Sequence, residues 1–249
     1  MPHPLPCVIF GYLNTESGVV MDDRSDQKKL IEQMNEYYRR RAPWHDYYMS
    51  YKSHDATEKL MTPLIEIIHP LISGKDILEI ACGTGIWTQV LSRRARSVTA
   101  TDINEAVIEL ARKKQYDNDN VTFQIADAYS ADKLQNKFDV VFASDWFSHI
   151  PLPMISRFQK SINNCLHDNG VVIMIDMMYR KVFEEEKTIN DAYHNRISNR
   201  QVPDAGNFNV VKNFFTEETI KRHLKDFAGD IQYIENLELK RWMVIYRKP

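Results

Sequence analysis

Four acidic residues fall where an α/β chain would hold a ligand. Glu79 sits inside LEIACGTG (residues 78–85), where an apolar run enters a glycine turn. Asp102 closes SVTATD, 23 residues further on; Asp127 closes VTFQIAD, and Asp145 follows FDVVFAS. Glycine turns after strands usually cradle phosphate on the next helix N-terminus. A carboxylate at the mouth of such a turn repels a pyrophosphate and attracts a cation. A carboxylate ending the second strand is placed to accept both hydroxyls of a ribose. The set therefore describes a ligand with a ribose and an amine but no run of phosphates. Just past the fourth strand come Asp145, Trp146 and His149. His149 is a candidate general base for a hydroxyl acceptor, Asp145 a second catalytic candidate, and Trp146 a pocket wall able to make a cation–π contact.

These residues need a scaffold that brings strand ends together, and the hydrophobic pattern supplies one. DILEIA (76–81), SVTATD (97–102), VTFQIAD (121–127), FDVVFAS (138–144) and GVVIMIDMM (170–178) read as strands. Between them IWTQVLSRRA (86–95), EAVIELARKK (105–114) and MISRFQKSINNCL (154–166) carry helix spacing. This alternation is that of a doubly wound sheet, whose ligands bind at the carboxyl ends of the strands. TEETIKRHLKDF (216–227) predicts a helix with Thr216 as N-cap, its capping box only partial because Thr219 replaces Glu or Gln. Segments 231–238 and 241–247 predict a closing hairpin. Upstream, DQKKLIEQMNEYYRRRA predicts a helix ended by Pro43, and HDATEKLMTPLIEIIHPLI a second helix, interrupted or bent near Pro63 and ended near Pro70. The polar stretch 179–213 breaks the rhythm, with a helix expected at 183–197 and a turn at PDAGN.

Bulk properties exclude several functions. The chain has 249 residues, 32 Lys plus Arg against 34 Asp plus Glu, and a formal net charge of −2. That balance lacks the basic surface of a non-specific nucleic-acid binder. Three dispersed cysteines, with no CxxC pair, argue against a disulfide framework or zinc site and favour a reducing, cytoplasmic setting. The eight histidines never form HExxH, and no GxSxG elbow is present. No apolar run reaches the length of a membrane span.

A zwitterionic, sulfonium-bearing ligand, S-adenosylmethionine (SAM), meets the demands of the four carboxylates. LEIACGTG resembles the first motif of class I SAM-dependent methyltransferases, with Ala81 where that family often has glycine. VTATDIN resembles their second motif, IADAYS their third and FDVVFASDWFSHIP their fourth, in order over residues 76–178. YYRRRAPWHD and DWFSHIP further resemble the YYxxRAPxYD lid segment and FWLSHVP stretch of bacterial small-molecule methyltransferases, with His45 for a tyrosine and Asp145 for a phenylalanine. The resemblance implies a Rossmann-like, doubly wound, seven-stranded sheet, mostly parallel, with an antiparallel C-terminal hairpin. Residues 1–25 read as a flexible leader, and the resemblance implies a helical lid over 26–73 and a SAM-binding domain over 74–249 with a lid insertion at 179–213.

For individual residues, the resemblance puts Gly83 and Gly85 against the methionine moiety, with Ala81 beside them. It puts Asp102 on the ribose and Ile103 on adenine. Asp127 and Ala128 fall at the adenine amino group, and Glu79 at the ammonium. Tyr38 and Arg41 would close over SAM, Arg41 reaching its carboxylate. Each has a plainer alternative: Asp102 as a helix cap, Ile103 as core, Arg41 as a solvated basic face. The expected acceptor is a small molecule, with no nucleic acid, no metal, no membrane, and a monomer or homodimer. O-, N- and C-methylation are not distinguished. A nicotinamide-dependent oxidoreductase is disfavoured by Thr88 in place of the third GxGxxG glycine and by Glu79. A non-catalytic SAM-binding regulator is the other rival.

Overall fold

The computed structural model describes residues 23–48, 54–184, 186 and 188–249. Of the expected leader, residues 1–22 lie outside the described residues, whereas residues 23–25 already belong to the first helix. That helix, α1, spans Asp23–Arg41, and Pro43 stands inside a single 3₁₀ turn, Ala42–Trp44, that follows it. A four-residue helix α2 (His45–Tyr48) comes next. Helix α3 then runs unbroken over His54–Ile72, past both Pro63 and Pro70. An internal proline costs roughly 3 kcal/mol. Here Leu64, Ile68 and Ile72 are almost fully buried on one face of α3, and each such burial contributes about 1.5–3 kcal/mol. Packing therefore outweighs Pro63, where the helix continues without interruption, and the helix ends at Ile72, two residues past Pro70 and close to the expected end.

The central sheet has seven strands: β1 (Asp76–Ile80), β2 (Ser97–Asp102), β3 (Val121–Ile125), β4 (Phe138–Ser144), β5 (Leu166–Met177) and, after an insertion, β9 (Ile231–Asn236) and β10 (Arg241–Arg247). Their order is β3-β2-β1-β4-β5-β10-β9. The first five pair in parallel, and β10 lies antiparallel between β5 and β9. Helices α4 (Ile86–Ser92), α5 (Glu105–Arg112), α6 (Ile155–Cys165) and α7 (Glu217–Leu224) cover it. Period-two alternation divides the core. Leu78, Ile80, Val141 and Ala143 pack with Phe158 and Ile162 of α6, while Ile77, Val140 and Phe142 pack with α3 and Trp87 of α4. Both faces are buried, which is why these strands read as nearly continuous apolar runs. The capping box of α7 is complete rather than partial: the Thr219 hydroxyl accepts from Thr216 N–H at 2.8 Å, and Thr216 Oγ1 caps Thr219 N–H in return.

The insertion corrects the sequence expectation. Instead of a helix over 183–197 there is a 3₁₀ turn (Lys181–Glu184) and a three-stranded antiparallel sheet, β6 (Thr188–Asn190), β7 (Arg196–Val202) and β8 (Gly206–Val211). Asp191 prevents a helix: its carboxylate accepts the N–H groups of Tyr193 and Asn195 and holds a turn. Ile197, Val202, Val210 and Val211 then pack on Met34 and Tyr37 of α1. The β7–β8 turn does fall in PDAGN, with positive φ at Asp204 and Gly206. Helix α1 and the small sheet thus form one cover above the strand ends. Among the described residues no helix is long and apolar enough to cross a membrane.

Candidate active site

The turn after β1 opens a cavity of about 700 Å³. Ala81, Gly83 and Gly85 all have positive φ (53°, 55° and 81°), so alternate residues are left-handed and the chain curls back under the cavity. Only Ala81 carries a side chain there, in a conformation that costs an L-residue about 1–2 kcal/mol. Ala81→Gly is therefore expected to raise stability by up to about 1 kcal/mol, after the added freedom of glycine in the unfolded chain is subtracted. Urea unfolding measures this; a lowered midpoint would mean that the methyl packing outweighs the strain.

Twelve of the thirteen residues singled out in the sequence border this cavity. Gly85 does not. A Cβ at Gly85 would stand 2.5 Å from the Tyr116 hydroxyl and 3.1 Å from Ala111 Cβ of α5, so its smallness serves helix packing. Gly83 does border the cavity, and its N–H donates to Asp102 Oδ2 at 3.0 Å. Asn104 N–H donates to the other oxygen, Oδ1, at 2.9 Å. Two backbone donors thus fix the carboxylate plane of Asp102, whose pKa burial raises. Ile103 beside it is 40% exposed, an apolar face on the cavity wall. Asp127 is held by Tyr129 N–H at 2.9 Å, at the start of the turn that carries Ala128.

Glu79 is 2% exposed and accepts from the Thr88 hydroxyl at 2.6 Å. Burial pushes its carboxyl up to about 8, with the Asp102 charge adding to the effect. Thr88 explains why a third glycine is absent: that position supplies the donor for Glu79. A second contact, which the sequence did not signal, ties the cover to this turn. Asp46 accepts from Thr84 Oγ1 and from Lys114 Nζ (2.9 Å), and the His45 ring lies against Gly83.

The other side of the cavity, toward β4 and β5, is built differently. Asp145 (φ 54°) accepts from Arg241 Nη1 at 2.6 Å. Burial opposes its ionisation, but Arg241 and Lys212 hold its carboxyl below the usual range. Trp146 borders the cavity and packs beside Tyr129 and Phe158. His149 Nδ1 lies 2.6 Å from the Val211 carbonyl oxygen. A carbonyl only accepts, so Nδ1 carries the proton and Nε2 holds a lone pair; the Tyr38 hydroxyl stands beside the ring edge, 3.2 Å from Nδ1 and 3.0 Å from Nε2. Burial, then Lys212, Arg200 and Arg41, keep this imidazole well below its ordinary pKa, so it is neutral. Arg41 donates to Tyr37 at 3.1 Å and its guanidinium stands 5.4 Å from the Tyr38 ring. Arg180, Arg200 and Lys212, all from the insertion, also border the cavity. None was legible as a site residue, because the segment's true secondary structure was not.

The comparisons point one way. Residues 77–170 match a family described as "Methyltransferase domain". A ubiquinone biosynthesis O-methyltransferase of Pseudomonas aeruginosa (strain LESB58) is 33% identical over 84 residues, which is 33% of this chain and 36% of that protein. One from Coxiella burnetii (strain Dugway 5J108-111) is 27% identical over 95 residues, 38% of each chain. The match thus spans well under half the length of these curated relatives. Among solved structures, a DhpI–SAH complex superposes with a TM-score of 0.70 at 26% identity, covering 88% of this chain and 97% of that one. A DhpI-SAM-HEP complex superposes nearly as well, at 0.69.

Proposed function

Because this chain belongs to the class I SAM-dependent methyltransferases, we propose that it transfers the methyl group of SAM to a small-molecule acceptor held in the same cavity. The observation that carries this is the join of two unlike walls. One, at the ends of β1, β2 and β3, offers Asp102, Asp127 and the Gly83 turn. The other, at the ends of β4 and β5, is closed by α1 and the insertion sheet. The first wall fits the donor: Asp102 has both oxygens oriented by backbone amides, and Ile103 presents a bare apolar face to a flat base. The enclosed second wall suits a small acceptor better than a polymer.

Bound SAM supplies an already activated methyl group on a sulfonium. The chain's own task is then alignment and exclusion of water, which together can lower the barrier by roughly 7–11 kcal/mol. His149, neutral and edge-on to the Tyr38 ring, is a weak base, and its role in this reading is to hold that ring under the cover. Asp145, tied to Arg241, shapes the β4 end rather than accepting a proton. Formation of S-adenosylhomocysteine (SAH) from SAM across a panel of small acceptors tests the activity. Failure to bind SAM or SAH at all would overturn it.

Glu79 adds a proton-linked signature. Its folded pKa lies above the unfolded value of 4.5, so the folded chain keeps a proton that the unfolded chain loses. This contribution to stability is complete below the unfolded value and fades as pH rises through about 8. A cationic ligand has the opposite preference, because it stabilises the ionised carboxylate. SAM binding near neutral pH should therefore release a proton in wild type that Glu79→Gln does not release. Calorimetry in buffers of different ionisation heat reads this. Identical proton release in both proteins would remove Glu79 from the ammonium.

A further inference from the structure

The wall opposite the donor end is electropositive, and among the described residues its cations outnumber the carboxylates paired with them. Among the described residues, Arg180, Arg200, Lys212 and Arg241 border the cavity on this wall, and Arg196 stands behind them, sharing Glu186 with Arg200. Arg241 is matched by Asp145 at 2.6 Å and Lys212 by Asp176 at 3.4 Å. Glu186 is shared, 3.2 Å from Arg196 and 3.6 Å from Arg200. Arg180 rests on the Phe183 ring, 5.1 Å from its centroid. Three carboxylates therefore serve five cations. Glu238 and Lys240, from the β9–β10 turn, also border the cavity and cancel one another.

This positive field acts on what it surrounds. Lys212, Arg200 and Arg41 all push the His149 imidazole toward its neutral form. Lys212 itself is lowered, first by burial and then in part by Arg200, even though Asp176 and Asp145 oppose this. Uncompensated charge in a poorly hydrated site is costly, and the cost is relieved by a ligand of opposite sign. Bound SAM cannot supply that relief, since its sulfonium and ammonium outnumber its one carboxylate. A cationic acceptor would add to the strain. Guanidinium groups, with their planar fork of donors, match carboxylate and phosphoryl oxygens.

Resting on the methyltransferase reading above, we propose that the acceptor is a small oxyacid, its anionic oxygens held by Arg200 and Lys212 beneath the cover, with Arg180 at the approach. Selection by charge then works in both senses: the cluster attracts oxyanions and rejects amines.

Titration calorimetry of the SAH-saturated chain at fixed ionic strength tests this, with inorganic phosphate and acetate as probes. Acetamide and tetramethylammonium serve as neutral and cationic counterparts. Saturating SAH first removes competition from the donor's own carboxylate. One or both oxyanions should bind and the counterparts should not; the ratio of phosphate to acetate affinity separates a phosphoryl from a carboxylate acceptor. Arg200→Gln should weaken the bound oxyanion about tenfold while SAH affinity changes less than about twofold. Arg180→Gln, on the outer side, gives a smaller loss without touching the buried pairs. Oxyanions that fail to bind, acetamide that binds equally well, or both variants binding like wild type would each overturn the proposal. A chain that binds no SAH would sink the methyltransferase reading instead, and the same titration on the unliganded chain would still decide the oxyanion site.

Discussion

Asp102→Ala is expected to weaken SAM binding by about two orders of magnitude. A hydrogen bond to a charged acceptor contributes roughly 1.5–3 kcal/mol, and the proposed SAM complex sets two ribose hydroxyls against this carboxylate. About 2.8 kcal/mol corresponds to a hundredfold. The loss has a second source, since Asp102 also holds the turn. Without it the N–H groups of Gly83 and Asn104 lose their acceptor, and each buried donor left unpaired costs about 1–3 kcal/mol. Asp102→Asn does not separate the two effects cleanly. Whichever way its amide is turned, an NH₂ faces either Gly83 N–H or Asn104 N–H. The informative comparison is therefore between affinity by calorimetry and stability by urea unfolding. Undiminished SAM affinity in Asp102→Ala would remove the ribose assignment.

The largest loss of stability is expected from dividing the Lys212–Asp176 pair. The two side chains are 4% and 0% exposed, with Nζ 3.4 Å from Oδ1. Asp176 also accepts Ser148 N–H at 2.8 Å, and Lys212 donates to the Ser148 hydroxyl at 2.7 Å. The three groups join β5, the turn after β4 and the end of β8 at the floor of the cover. Removing one ion strands the other in a site that water does not reach. That costs roughly 3–5 kcal/mol. For a chain of this size the midpoint of thermal unfolding should fall by roughly 6–20 °C. Lys212→Met and Asp176→Asn should each show it, and the double variant should recover part of the loss because no lone charge remains. Single variants that unfold within a degree of wild type would show that the pair is solvated. A double variant that is worse than either single would mean that geometry, not charge, dominates.

The two expectations differ in how far they could be read ahead of the fold. Asp102 was legible because its partners are local in pattern. A glycine turn follows one strand, an acid ends the next, and parallel pairing of β1 with β2 sets them side by side. The seven strands were legible for the same reason, since burial on both faces leaves long apolar runs. Even Thr88, which looked like a defect in a glycine motif, stands one helical turn into α4 and caps Glu79. Continuity of α3 through Pro63 and the fold of the insertion were misread because local propensity lost to packing. Leu64, Ile68 and Ile72 hold α3 together through Pro63 and Pro70, and Met34 and Tyr37 make a sheet of a polar stretch.

By itself, then, the amino-acid sequence determined the seven strands along the chain, the glycine turn after the first of them and the acids at the strand ends. Those features depend on residues a few positions apart or on strands that pair in regular succession. Only the tertiary structure decided the opposite, cationic wall of the cavity. Lys212 reaches Ser148 across 64 positions and Asp176 across 36, and Arg241 reaches Asp145 across 96. No period or motif encodes such distances. They follow from how α1 and the small sheet fold back over the strand ends, where burial turns scattered lysines and arginines into one positive surface.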